Sequence, residues 1–166
     1  MVYNWGKYDE ERGQIVRKPK YTAQFVADWF VSRASRDAIS RGKEPLTFRK
    51  LNNLMYIAQG IYLAVRGVPL FDGEITRGFN GPAVLFEVKD RVFNIQMKEH
   101  IGFVSARSNG DNAFLEMVYQ EVGKVETKKL LSKIKSSSMY KTVEIGEPFN
   151  VDHIRLWCEN IFLKEI

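Results

Sequence analysis

The stretch FRKLNNLMYIAQGIYLAVR, residues 48–66, constrains the fold more than any other part of the chain. Leu51, Leu54, Met55, Ala58, Ile61, Tyr62 and Val65 recur at helical spacing and make one apolar stripe. Tyr56, Ile57, Leu63 and Ala64 fall on the other side, so the helix is apolar nearly all round. Such a helix must be enclosed by other elements rather than laid on a surface. A membrane would be the alternative enclosure, but no apolar run approaches the roughly 18 residues that a span requires. The expected setting is the centre of a globular helical body. The 166 residues make about one domain. A composition that is 45% hydrophobic and 13% aromatic can enclose that helix, and it excludes wholesale disorder.

Other segments supply the enclosure. Thr22, Thr47 and Asn150 each stand as an N-cap before apolar residues at helical spacing. Each carries a hydrophobic staple around it: Tyr21 with Val26, Leu46 with Leu51, and Phe149 with Ile154. The first helix is predicted over about 22–39, with Phe25, Val26, Trp29, Phe30 and Ala34 on one side, and Gly67 is predicted to stop the second. Asp72-Gly73 signals a turn before a short strand from Ile75 to Phe79. Gly81-Pro82 reads as the start of a helix over about 82–95 that turns Leu85, Val88 and Val92 inward. Residues 96–110 read as a loop with a short strand near Ile101 to Ser105. Asp111 reads as the cap of a helix ended by Gly123, and Thr127 as the cap of a shorter one carrying Leu130, Leu131 and Ile134. Ser136, Ser137 and Ser138 interrupt the pattern before a closing helix with the stripe Val151, Ile154, Trp157, Cys158, Ile161 and Phe162. Residues 1–20 read as an irregular N-terminal arm, and 21–166 as the domain. The expected class is mainly α: a single compact domain of about six helices with at most a small β-hairpin.

The formal charge is +5, from 25 Lys and Arg against 20 Asp and Glu. Divided after residues 45 and 110, the chain carries +3, +3 and −1, with no run of five or six like charges. That spread points to solubility more than to a phosphate-tracking surface. The opening MVYNWGKYDEERGQ lacks the apolar stretch of a secretory signal, and the one cysteine, Cys158, has no disulfide partner. A cytoplasmic protein is the expectation.

The residue types that carry chemistry are sparse. The two histidines, His100 and His153, have no further ligands at metal-binding spacing. His153 and Cys158 lie five residues apart, about 140° round a helix, so they do not pair as base and nucleophile. Cys158 falls within the apolar stripe and reads as core. The glycine-bearing Gly78 to Pro82 lacks the Lys-Ser/Thr pair of a P-loop and the third glycine of a dinucleotide fingerprint, so it reads as a turn. No cofactor and no metal site is implied, and no enzyme is expected.

Taken as a whole, the run from Pro45 to Val88 resembles the Panacea domain, the SocA-like antitoxin family often called phage-associated proteins. Lys50, Leu51, Leu54, Tyr56, Ala58, Gln59, Gly60, Tyr62 and Leu63 match its central helix. Gly67, Pro69, Leu70 and Phe71 match its turn, and Gly81, Pro82 and Val88 match the next helix start, with Ala83 where Val is usual. Tyr21 to Ala34 resembles the first helix of the family. The likeness weakens beyond residue 110. In 132–142 a serine stands where the family has a histidine, and Met139-Tyr140 stands near the position of a tryptophan.

The resemblance implies an antitoxin-type protein of bacteria or their phages, which neutralises a cognate toxin by direct contact or by promoting its proteolysis through a protease complex. It brings no catalytic residues. Candidate partner-binding positions are Trp5, Tyr8, Gln59, His100 and Phe103. Lys50, Leu51, Tyr56, Gly60, Gly81 and Pro82 are expected to be structural, with close helix packing at Gly60 and a hydrogen-bonded Gln59. The alternative function is a DNA-binding regulator of its own operon.

Overall fold

The computed structural model describes residues 7–9, 14–16, 18–42, 46–84 and 104–163. Strands β1 (Lys7–Asp9) and β2 (Gln14–Val16) come first, followed by helices α1 (Ala23–Arg41) and α2 (Phe48–Arg66). Strands β3 (Ile75–Gly78) and β4 (Gly81–Val84) precede α3 (Asn109–Met117), which runs into a π-helical turn, Val118–Val122. Then come α4 (Thr127–Ser136), α5 (Ser138–Thr142) and α6 (Val151–Cys158), with a second π-helical turn at Glu159–Leu163. The class is mainly α, as expected. No helix among the described residues is long and apolar enough to cross a membrane.

The cap chemistry read from the sequence operates at three helices. Thr22 Oγ1 accepts from the N–H of Phe25, Thr47 Oγ1 from that of Lys50, and the Asn150 side chain from that of Asp152. All six staple residues are buried. Gly67 ends α2 with φ +69°, a left-handed conformation open to glycine at little cost. Two caps differ from expectation. Ser108, three residues before Asp111, caps α3, which leaves Asp111 in the first turn, and Thr127 is the first residue of α4 rather than its cap.

The central helix is α2. All thirteen residues from Leu51 to Leu63 are buried, and α1, α4, α6, β4 and the first π-helical turn pack around them. Val65, assigned to the stripe, lies beyond this enclosure in the last turn and is exposed. The closest approach is to α6, at Gly60. A Cβ there would collide with Cys158 Sγ and lie 2.9 Å from Ile154 Cγ2 and 3.0 Å from the Ile154 carbonyl oxygen. Each large apolar side chain buried along α2 stabilises by about 1.5–3 kcal/mol. Against that, the roughly 1 kcal/mol that glycine costs a helix is small.

The segment after α2 departs from the sequence reading. Gly81 to Val84 form a strand, not the start of a helix. The register of β3 with β4 is antiparallel, with Ile75 opposite Val84, Thr76 opposite Ala83, Arg77 opposite Pro82 and Gly78 opposite Gly81. Gly81 has φ +121°, far from helical, and a Cβ on it would lie 2.7 Å from Leu131 Cδ1. Pairing across the Phe79-Asn80 turn, together with the hydrogen bond from Val84 N to Asn52 Oδ1 at 2.8 Å, overrides the local proline signal. Among the described residues β4 pairs only with β3, so Pro82 sits on an edge strand, where a missing N–H is tolerated. The rest of the predicted helix, 85–95, lies outside the described residues.

The other edge of β3 is covered by the chain leading into α6. Arg77 N donates to the Glu147 carbonyl at 2.9 Å, Gly146 N to that of Arg77 at 2.7 Å, and Phe149 N to that of Ile75 at 2.8 Å. The arm, expected to be irregular, carries an antiparallel hairpin, β1 with β2, with Tyr8 opposite Ile15. Among the described residues the strands therefore form two small hairpins, where at most one was expected. On α6, Ile154 and Cys158 are buried as the stripe requires, but Ile161 is exposed. It lies in the second π-helical turn, whose wider winding breaks the 3.6-residue spacing.

Replacing Gly60 with alanine is expected to destabilise the protein by about 1–3 kcal/mol through overpacking. Cys158→Ala in the same background removes the colliding sulfur and should recover part of that loss. Urea unfolding of the two single variants and the double variant measures both effects.

Candidate functional site

The residues of the central motif are occupied with one another. Gln59 is 2% exposed. Its Oε1 accepts from the N–H groups of Leu70 at 2.7 Å and Phe71 at 3.2 Å, and its Nε2 donates to the Phe71 carbonyl at 2.9 Å. The glutamine thus closes the turn that follows its own helix. Leu51 and Tyr56 are fully buried, and the Tyr56 ring packs edge-on against Phe149 at 5.5 Å and tilted against Trp157 at 5.8 Å. Tyr140, in the segment that departs from the family pattern, is buried on the far side of the same interior, 5.3 Å from Phe149, with the Arg77 guanidinium 4.9 Å above its ring.

A second assembly gives α3 its position, and sequence reading missed it. Asp111 is 2% exposed, yet its carboxylate accepts from Tyr21 Oη at 2.6 Å and Tyr62 Oη at 2.9 Å, with Lys20 Nζ at 3.4 Å. Burial alone would raise this carboxyl. The hydrogen bonds from Tyr21 and Tyr62, with Lys20 and Ser108, outweigh burial and hold the group below its ordinary value. In return, burial and the bond to Asp111 push the Tyr21 phenol up to about 12. One turn further along α3, Glu116 receives two bonds from Arg33, Nε at 2.9 Å and Nη2 at 2.9 Å, while Arg33 Nη1 donates to Asp37 Oδ1 at 2.7 Å. Tyr119 closes the cluster: its ring lies 4.8 Å below the Arg33 guanidinium and its hydroxyl donates to Asp37 Oδ2 at 2.7 Å. The Glu116 carboxyl is also held low, Arg33 and Gln120 outweighing the effect of burial.

This network ends at a cleft of about 370 Å³ between α1, the first half of α2 and the start of α4. Thr47, Lys50, Tyr119, Gln120, Lys124 and Thr127 supply its polar lining. Lys50 spans it, donating to the Val125 carbonyl at 3.4 Å. Its volume lies within the range of small-molecule sites, and its polar lining is rich in cationic and hydroxyl groups. The Asp111 carboxylate, by contrast, is enclosed by its donors and serves to place α3.

The other candidates do not converge on one place. Tyr8 lies on β1, Gln59 lies in the interior, and Trp5, His100 and Phe103 fall outside the described residues. Lys50 lines the cleft, and Gly81 and Pro82 lie on β4. His153 is exposed whereas Cys158 is fully buried, its thiol pushed up by burial and within 3.8 Å of the Ile57 carbonyl. Among the described residues no group of three His, Cys, Asp or Glu side chains could hold a metal ion. No protein-family model, curated protein or solved structure matches the chain.

Acid should weaken the Asp111 assembly. The unfolded chain takes up its proton first, so the contribution of Asp111 is whole above about pH 5 and is lost as pH falls through its lowered folded value. Asp111→Asn is expected to cost about 2–3 kcal/mol at neutral pH and to flatten the acid limb of a stability–pH curve measured by chemical unfolding.

Proposed function

We propose that this chain is a Panacea-type antitoxin module, which neutralises a cognate toxin by binding it directly. The observation that carries the reading is the Gln59 latch. The helix and turn portions of the motif, eleven and twelve residues apart, meet through three hydrogen bonds from one side chain. The resemblance therefore rests on residues that cooperate in one structural unit. Those residues form the scaffold, which leaves toxin recognition to the surface. Gln59, being interior, leaves the set of contact residues.

A contact position joins the set that sequence reading did not provide. Phe79, at the tip of the β3–β4 hairpin, is 84% exposed. A large aromatic presented in this way has nothing to do for the fold and is of the type that anchors protein interfaces. The arm, with Trp5 and Tyr8, is the other contact segment.

Co-expression with the product of the adjacent gene tests the proposal. The expected outcome is that the neighbour is toxic alone, harmless with this chain, and co-purifies with it; a harmless neighbour that does not co-purify sinks the reading. Phe79→Ala, and separately removal of residues 1–17 with Lys20 kept for Asp111, are each expected to weaken co-purification while leaving the unfolding free energy within about 0.5 kcal/mol of the parent.

A further inference from the structure

Dividing the charge by thirds of the chain conceals its strongest local concentration. From Thr127 to Val143 there are five lysines and no acidic residue. The acids that make the last third negative lie on either side, up to Glu126 and from Glu144 onward. The structure turns this stretch into a face. On α4, Leu130, Leu131 and Ile134 are buried against the body, whereas Lys128, Lys129, Lys133 and Lys135 are exposed. At 100° per residue these four lysines fall within about 160° of arc, opposite the buried side. Exposed Ser132 and Ser136 lie among them. Lys141 continues the charge onto α5.

We infer that the outer face of α4 binds the phosphate backbone of nucleic acid. Charge complementarity calls for a polyanion, and the side chains distinguish among polyanions. Lysine is depleted in protein–protein interfaces, where aromatic residues and arginine dominate, and α4 has neither aromatic residues nor arginine. Lysines with interspersed hydroxyls suit phosphate oxygens, which ask for charge and simple donors. Ten helical residues span about 15 Å, a length over which B-DNA carries about nine charges, so all four lysines can be matched. The face carries no arginine, asparagine or glutamine, whose planar groups fork onto base edges, and its lysines act on phosphate as flexible point charges, so the binding is chiefly to backbone and largely independent of sequence. The inference stands apart from the antitoxin reading, since neutralisation has no part in its test.

The test is fluorescence anisotropy of the full chain with a labelled DNA duplex of about 20 base pairs. Four phosphate contacts give a log–log salt slope near −3.6, or about a 100-fold loss of affinity between about 50 and 200 mM salt. Lys128→Gln with Lys133→Gln should lower affinity at least about 10-fold at about 100 mM salt and reduce the slope by about 2. Lys18→Gln with Arg66→Gln removes the same charge from elsewhere and should change affinity less than about threefold. Equal losses in the two double variants would reduce the effect to net charge and overturn the inference. A parent slope shallower than about −1 would overturn it too. So would binding to polyglutamate or to phosphatidylserine vesicles as tight as binding to DNA, since the face would then prefer protein or membrane.

Discussion

A helix with thirteen consecutive buried residues has to be surrounded, and most of the molecule follows from surrounding α2. Where a neighbour comes closest the side chain is absent: Gly60 lets α6 approach until Cys158 and Ile154 occupy the space of its Cβ. Two of the three amides that α2 buries bind a neighbour in place, while Asn53, also buried, makes no hydrogen bond through its side chain among the described residues. Asn52 accepts from Val84 on β4, and Gln59 holds Leu70 and Phe71. An unpaired buried amide costs more than a paired one returns, so these side chains favour one arrangement of their neighbours over others.

The attachment of α3 is of another kind. Of its nine residues only Asp111 and Leu115 are buried, so apolar contact alone holds it weakly. Ionised groups supply the rest: Asp111 under two tyrosines, and Glu116 gripped by Arg33, which is shared with Asp37. Pairs of this sort offset the cost of desolvating their charges only with further hydrogen bonds, and the two buried carboxylates, Asp111 and Asp37, each accept from more than one donor. The first π-helical turn, which extends α3, carries Tyr119 and Gln120 into the cleft beside Lys50, so the shape of that cleft depends on the ionised cluster behind it.

Sequence pattern was most informative where the deciding interactions lie within one turn of helix. The caps Thr22, Thr47 and Asn150, the stop at Gly67 and the buried Cys158 all follow from neighbours in sequence or from helical spacing. Pro82 shows the opposite case. Its local signal favours a helix start, but an antiparallel partner a few residues away and an amide thirty-two residues away place it in a strand. Ile161 shows a third: its stripe assumed regular winding, and a π-helical turn shifted it outward. For the candidate site, Lys50 was legible as a motif residue. Its place in a cleft was not, because the facing residues Tyr119 to Thr127 lie about seventy positions along the chain.

The chain by itself determined that α2 would be central, since a helix apolar nearly all round but without a continuous apolar run for a membrane has only an interior to occupy. It also determined where three of the six described α-helices begin, at Thr22, Thr47 and Asn150. Only the tertiary structure decided what Asp111 does. As a cap it would have been solvated and local; in the fold it is buried beneath Tyr21 and Tyr62, ninety and forty-nine residues away. The same holds for the lysines between 127 and 143. Their number was in the sequence, but it took the burial of Leu130, Leu131 and Ile134 to turn them to one side, because a helix presents a charged face only once its other face is committed to a core.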